Sequence, residues 1–137
     1  MSTTNRADLS KKNKWWISHY RYLELKNYCR QYPEWQANYN YLTHAYPTST
    51  DHVMQNNIFC DRVSEIAMKR IEIRDKIIQL EATAREADET IWTYILKAVI
   101  NNYSYDYLRC QLNVPCGKDY YYDKYRKFFW LLSQKRK

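Results

Sequence analysis

Lys118, Asp119, Tyr122, Asp123 and Arg126 follow one another at steps of one, three, one and three residues. On an α-helix that spacing brings them to one side. A major groove admits such a helix, and residues near its start reach base edges, so these five are the candidates for base readout. Lys124, Lys127, Lys135, Arg136 and Lys137 lie beside or beyond them and suit phosphate contacts.

Other chemistry finds less support. His19, His44 and His52 stand among Cys29, Cys60, Cys110 and Cys116, but no Cys-x2-Cys or His-x3-His pair exists. No metal site is expected, and the cysteines are expected reduced and mostly buried. No glycine-rich loop is present to cradle a phosphate. Fifteen tyrosines are better explained by core and interface than by nucleophilic catalysis. Paired acids in the middle of the chain sit at helical salt-bridge spacing. Neither an enzymatic activity nor a cofactor is expected.

The elements that must position the five residues follow from the flanking sequence. Ser104 is a helix cap, and Ser104–Leu112 forms a short helix with Leu108 and Leu112 facing inward. Asn113 tolerates a left-handed C-cap conformation. Val114 plugs the corner, Pro115 forbids continuation, and Cys116-Gly117 opens the last helix. Asp119 falls in its first turn, where the helix dipole favours a carboxylate. Tyr121, Tyr125, Phe128 and Leu132 step by four, three and four and point inward. Before this unit, Asp88 is placed to cap a helix that Asn101-Asn102 ends. Its Ile91, Trp92, Ile95, Leu96, Val99 and Ile100 cover more than one face, which predicts burial on two sides. Residues 88–137 therefore read as a helix-turn-helix unit.

Composition sets the fold class. The chain has 137 residues with one glycine and three prolines (Pro33, Pro47 and Pro115). Hairpin turns favour glycine, so the reading is all-α. Charge is uneven. Residues 1–30 carry seven Lys/Arg against two Asp/Glu, and residues 118–137 carry the same. Residues 31–117 carry eight against eleven. Two basic ends, one of them rich in aromatics, favour a polyanionic partner. No apolar run or leader points to a membrane, so a cytoplasmic protein is expected.

The first two-thirds of the chain read as support. Residues 1–14 form a flexible basic N-terminus; Lys11, Lys12 and Lys14 are the alternative, an arm on phosphate backbone. Order begins at Trp15-Trp16-Ile17. Residues 15–52 read as a helical hairpin and loop. Ser18 caps the first helix, with a stripe of Tyr22, Leu25, Cys29 and Tyr32 that Leu23 widens. Pro33 starts the second helix, with Trp35, Tyr39 and Leu42 on one face. Residues 53–87 read as one long helix. Phe59, Val63, Ile66, Arg70, Ile73, Ile77, Leu80 and Ala84 step by alternating fours and threes, a heptad seam interrupted by Arg70. A continuous helix of that length runs about 50 Å. Either it projects and pairs with a second copy along this seam, or it breaks near Asn56-Asn57 or Asp61.

Ser104–Val114 (SYDYLRCQLNV) resembles the first helix of the region-4 helix-turn-helix of sigma factors. The segment CGKDYYYDKYRKFFWLLS resembles the recognition helix of phage late-gene transcriptional regulators of the RinA/ArpU type. Cys116 takes their small-residue position, and Asp119-Tyr120-Tyr121 stands for their Thr-Tyr-Tyr-like triplet. The overlap covers about residues 65–135. The chain departs from the pattern at Asp119, which replaces a hydroxyl residue, and at Arg109, which replaces a small one. The resemblance implies a phage or prophage DNA-binding transcriptional regulator in a bacterial host cell, bound to double-stranded DNA beside host RNA polymerase. Two other readings fit the same features. One is a helical interaction protein that modulates a host protein such as RNA polymerase or a defence nuclease. The other is a packaging-related DNA-binding protein.

Overall fold

The computed structural model describes residues 11–44 and 56–136, the side chains of 56–60 aside. The protein is all-α, with no strand among the described residues. In chain order the helices are α1 (His19–Cys29), α2 (Tyr32–His44), α3 (Asn56–Ala87), α4 (Trp92–Asn101), α5 (Tyr105–Leu112) and α6 (Lys118–Lys135). They divide into two compact units. One comprises the chain up to Gln31 together with Leu80–Lys137; the other is Tyr32–Gln79.

In the first unit, α1 packs on α4 and α6, and α4 also packs on α5 and α6. Leu25 and Cys29 of α1, Leu80 and Ala84 at the end of α3, Ile91, Ile95, Val99, Leu108, Phe128, Phe129 and Leu132 are all buried. Each large aliphatic or aromatic side chain removed from water in this way contributes about 1.5–3 kcal/mol before chain entropy is subtracted. Local signals set the ends of these helices. Ser18 Oγ accepts from the Arg21 amide at 3.3 Å and starts α1. Asp88 Oδ1 accepts from the amides of Thr90 at 2.7 Å and Ile91 at 3.0 Å, so it caps the turn that leads into α4. Asn102, at φ 60°, ends α4 in the left-handed region, where asparagine is tolerated.

Two polar contacts fasten α1 to α6. The hydroxyls of Tyr22 and Tyr125 lie 2.6 Å apart. Arg21 donates to Ser133 Oγ at 3.1 Å and to the carbonyl oxygens of Ser133 and Arg136 at 3.2 and 2.7 Å. Those carbonyls close the last turn of α6, where a cation opposes the negative end of the helix dipole. On α1, Tyr22, Leu25 and Cys29 are buried, whereas Leu23 is 36 % exposed and lies off the packed face.

In the second unit, α3 passes Asp61 without a break. The seam positions Val63, Ile66, Arg70, Ile73 and Ile77 are half-buried. Helix α2 covers part of the seam from within the same chain. The Arg70 guanidinium lies 5.2 Å from the Tyr39 ring centre, and the Lys76 ammonium 5.8 Å from that of Trp35. Arg70 is thereby accommodated as a cation on an aromatic face. The Phe59 side chain lies outside the described residues, as does most of the loop expected over residues 44–52. A second apolar row on α3, Met68, Ile71 and Ile78, lies off the seam and is 61, 49 and 51 % exposed.

Candidate nucleic-acid interface

Helices α5 and α6 and the turn between them are built by side chains that each satisfy a local requirement. Ser104 Oγ accepts from the Tyr107 amide at 3.2 Å and caps α5. Asn113 takes φ 54° and ψ 48°, and its amide donates back to the Leu108 carbonyl. The Val114 amide donates to the same oxygen at 3.1 Å, and the Val114 side chain is buried in the corner. Gly117, in extended conformation, is the residue before α6. Nothing lies within 4 Å of where its Cβ would stand, so neither sterics nor a positive φ demands glycine there.

Four tyrosines meet at the start of α6. Tyr105 Oη donates to the Cys116 carbonyl at 2.7 Å, tying the start of α5 to the residue before Gly117. The ring of Tyr105 lies 5.5 Å from that of Tyr121 and 6.4 Å from that of Tyr122. Tyr120 Oη donates to Asp88 Oδ2, the second oxygen of the carboxylate that caps the turn before α4. Burial raises the Asp88 pKa. The Tyr120 hydroxyl, the Ile91 and Thr90 amides and nearby Lys124 outweigh that effect and hold it below the ordinary value. The phenol of Tyr120 is correspondingly pushed up by the same hydrogen bond.

All five readout candidates, Lys118, Asp119, Tyr122, Asp123 and Arg126, line one open concavity of about 450 Å³ on α6. Lys118 and Asp119 are exposed; Tyr122, Asp123 and Arg126 are half-buried. Two cations face two carboxylates here, so the surface is formally neutral and rich in both donors and acceptors. That combination matches base edges better than a row of phosphates, which would repel the carboxylates. Arg109 is exposed on α5, so its length is accommodated in solvent and the α5–α6 turn forms around it.

The five phosphate candidates are distributed differently. Lys124 pairs with Asp123 at 3.7 Å and lies 5.2 Å from the Tyr120 ring centre. Lys127 lies 5.6 Å from the Trp15 ring centre. Lys135 pairs with Glu86, and Arg136 stacks 3.6 Å over Tyr28. Lys137 lies outside the described residues. Lys135 and Arg136 thus serve the α3 and α1 contacts of α6 within this fold.

Of the described cysteines only Cys29 is buried; Cys116 is half-buried and Cys110 exposed, against the expectation of mostly buried thiols. Cys110 sits on the solvent side of α5, where the Leu108 stripe leaves it out. Burial raises the Cys29 thiol far above its ordinary pKa and keeps it neutral. Cys116 is raised by burial and by the Asp88 carboxylate. No group of three or more His, Cys, Asp or Glu able to hold a metal occurs among the described residues. No helix of the described residues is long and apolar enough to cross a membrane.

The chain matches no protein-family model, no characterised protein and no solved structure.

Proposed function

We propose that the chain is a phage- or prophage-encoded DNA-binding transcriptional regulator that reads double-stranded DNA with the start of α6. The observation that carries this reading is the concavity shared by Lys118, Asp119, Tyr122, Asp123 and Arg126 at the N-terminal half of a helix that follows a tight turn. Arg126 and Lys118 offer donors to guanine, and Asp119 and Asp123 offer acceptors to cytosine. The basic ends supply sequence-independent attraction, and the resemblance to RinA/ArpU-type regulators supplies the late-promoter role beside host RNA polymerase. A gel shift on a duplex from upstream of the chain's own gene, with and without polymerase, tests it. A complex that tightens with polymerase is expected; no complex at low salt would reject it.

A second reading is favoured by Met68, Ile71 and Ile78 on α3, large apolar side chains exposed in a row. Here the chain engages a host protein, or a second copy of itself, through α3. Co-purification of polymerase that survives Arg126→Ala but not Ile71→Glu would favour this reading over DNA readout.

A further inference from the structure

The segment just before α1 places Lys11 and Lys14 beside Lys127 on the flank of α6. Asn13 organises it. Its Oδ1 accepts from the Trp15 amide at 2.8 Å, and its carbonyl accepts from the Trp16 amide at 3.0 Å. This is an Asx-type turn, which fixes the backbone from Asn13 to Trp16. Ile17 is buried, and the Trp15 ring meets the Trp130 ring edge-on at 5.2 Å. The basic segment is therefore held against α6 by packing.

Three ammonium groups gather on these indoles. Lys14 lies 5.0 Å and Lys127 5.6 Å from the centre of the Trp15 ring, and Lys11 lies 5.9 Å from that of Trp16. Three cations of this unit meet carboxylates, in Lys135–Glu86, Arg21–Glu24 and Lys124–Asp123. Lys11, Lys14 and Lys127 meet no carboxylate among the described residues. Lys14 and Lys127 share one ring, so their separation is on the order of a Debye length at most and their repulsion is only partly screened. A polyanion relieves that repulsion.

The cluster also has a defined place relative to the readout surface. Trp130 follows Arg126 by four residues and Asp123 by seven, so it continues the same side of α6 one turn further on. The line from Asp119 through Asp123 and Arg126 ends at Trp130, with Trp15 and the lysines against it.

We propose that Lys11, Lys14 and Lys127, positioned by Trp15 on Trp130, form a clamp for the DNA phosphate backbone that borders the site read by α6. The clamp rests on the DNA-binding reading above, and it assigns the N-terminal segment a fixed role in place of a loose arm. Backbone contacts on this flank set how deeply and at what angle the start of α6 enters the groove.

The test is the salt dependence of binding of the full chain to a duplex of random sequence. Three proteins are compared: wild type, the charge-removing variant K11Q/K14Q/K127Q, and the charge-keeping variant K11R/K14R/K127R. Circular dichroism verifies that each is folded. Each phosphate neutralised contributes about 0.9 to the slope of log affinity against log salt, so the glutamine variant should lose about 2 to 3 from the slope. The arginine variant should keep it. A wild-type slope retained by the glutamine variant overturns the clamp while leaving DNA binding standing. An equal loss in both variants overturns it too, because packing and not charge is then responsible. No binding by wild type at low salt overturns the DNA-binding reading itself. Binding of the cluster to anionic vesicles, with no effect of the lysines on DNA, would assign it to a lipid surface instead.

Discussion

Tyr105 Oη donates a 2.7 Å hydrogen bond to the carbonyl oxygen of Cys116, joining the first turn of α5 to the last residues before α6. The bond closes the helix-turn-helix on itself, so the start of α6 does not depend on the turn backbone alone. Tyr105→Phe keeps the ring contacts with Tyr121 and Tyr122 but leaves the carbonyl without its donor. A loss of about 0.5–1.5 kcal/mol is expected in urea unfolding, because a net hydrogen bond of this type contributes that much. On the proposed DNA-binding reading, discrimination between specific and random DNA should fall further than non-specific affinity does, since the end of α6 proposed to read bases is loosened. An unchanged unfolding midpoint would show that the bond is not formed in solution.

Tyr121 presents the opposite case. It is 1 % exposed, and its hydroxyl has no hydrogen-bond partner among the described residues. Burial pushes its phenol far above the ordinary pKa, so it stays neutral and carries a desolvation cost. Tyr121→Phe should leave stability unchanged or raise it by up to about 1 kcal/mol. A loss of more than about 1 kcal/mol in chemical unfolding would mean that the hydroxyl has a partner.

Asp88 links the turn before α4 to Tyr120 on α6, and its folded pKa is depressed. A depressed carboxylate contributes stability above its unfolded pKa and loses it as pH falls through the folded one. The difference in thermal midpoint between wild type and Asp88→Asn should therefore shrink as pH falls from about 5 through the folded pKa, which lies below the ordinary 3.8. Asp88 is largely solvent-accessible, so the effect is modest and weaker in high salt. A difference independent of pH would exclude the carboxylate charge as its source.

Asp119 and Asp123 give the proposed readout surface its neutrality. Removing either charge should strengthen binding to random duplex, because each carboxylate repels nearby phosphates. A gain of about threefold to tenfold for Asp119→Asn at low salt corresponds to about 0.7–1.4 kcal/mol. Discrimination between sequences should fall at the same time, since an acceptor is lost. Anisotropy titrations on two unrelated duplexes check both effects. Unchanged binding to random DNA would place Asp119 away from the backbone.

The capping residues were the most legible part of the sequence. Ser18, Ser104, Asn102 and Asn113 act on backbone within three to five residues, so their types alone mark where helices begin and end. The proximity of the five readout candidates was legible for the same reason: helical spacing puts Lys118, Asp119, Tyr122, Asp123 and Arg126 together whatever surrounds them. Contacts distant in sequence were not legible. Nothing near Trp15 announces Trp130, and nothing near Arg21 announces the last turn of α6. Phe129 lies off the inward stripe of Tyr121, Tyr125, Phe128 and Leu132, so periodicity alone does not bury it. In the fold α6 is packed from several sides, by α1 as well as α4, and both phenylalanines are buried. Positive charge at the C-terminus suggested uniform phosphate contact, yet Lys135 and Arg136 have partners in Glu86 and Tyr28 that only the tertiary structure supplies.

The most direct measurement is the affinity of the full chain for a labelled duplex from upstream of its own gene, against a scrambled duplex of equal length. Both are titrated by anisotropy at several salt concentrations, with wild type and Arg126→Ala. Wild type should prefer the native duplex, with affinity falling steeply as salt rises. Arg126→Ala should lose that preference by about 1–3 kcal/mol while keeping most of its affinity for the scrambled duplex. Absence of binding to either duplex at low salt, or an equal loss on both with Arg126→Ala, would contradict readout by α6.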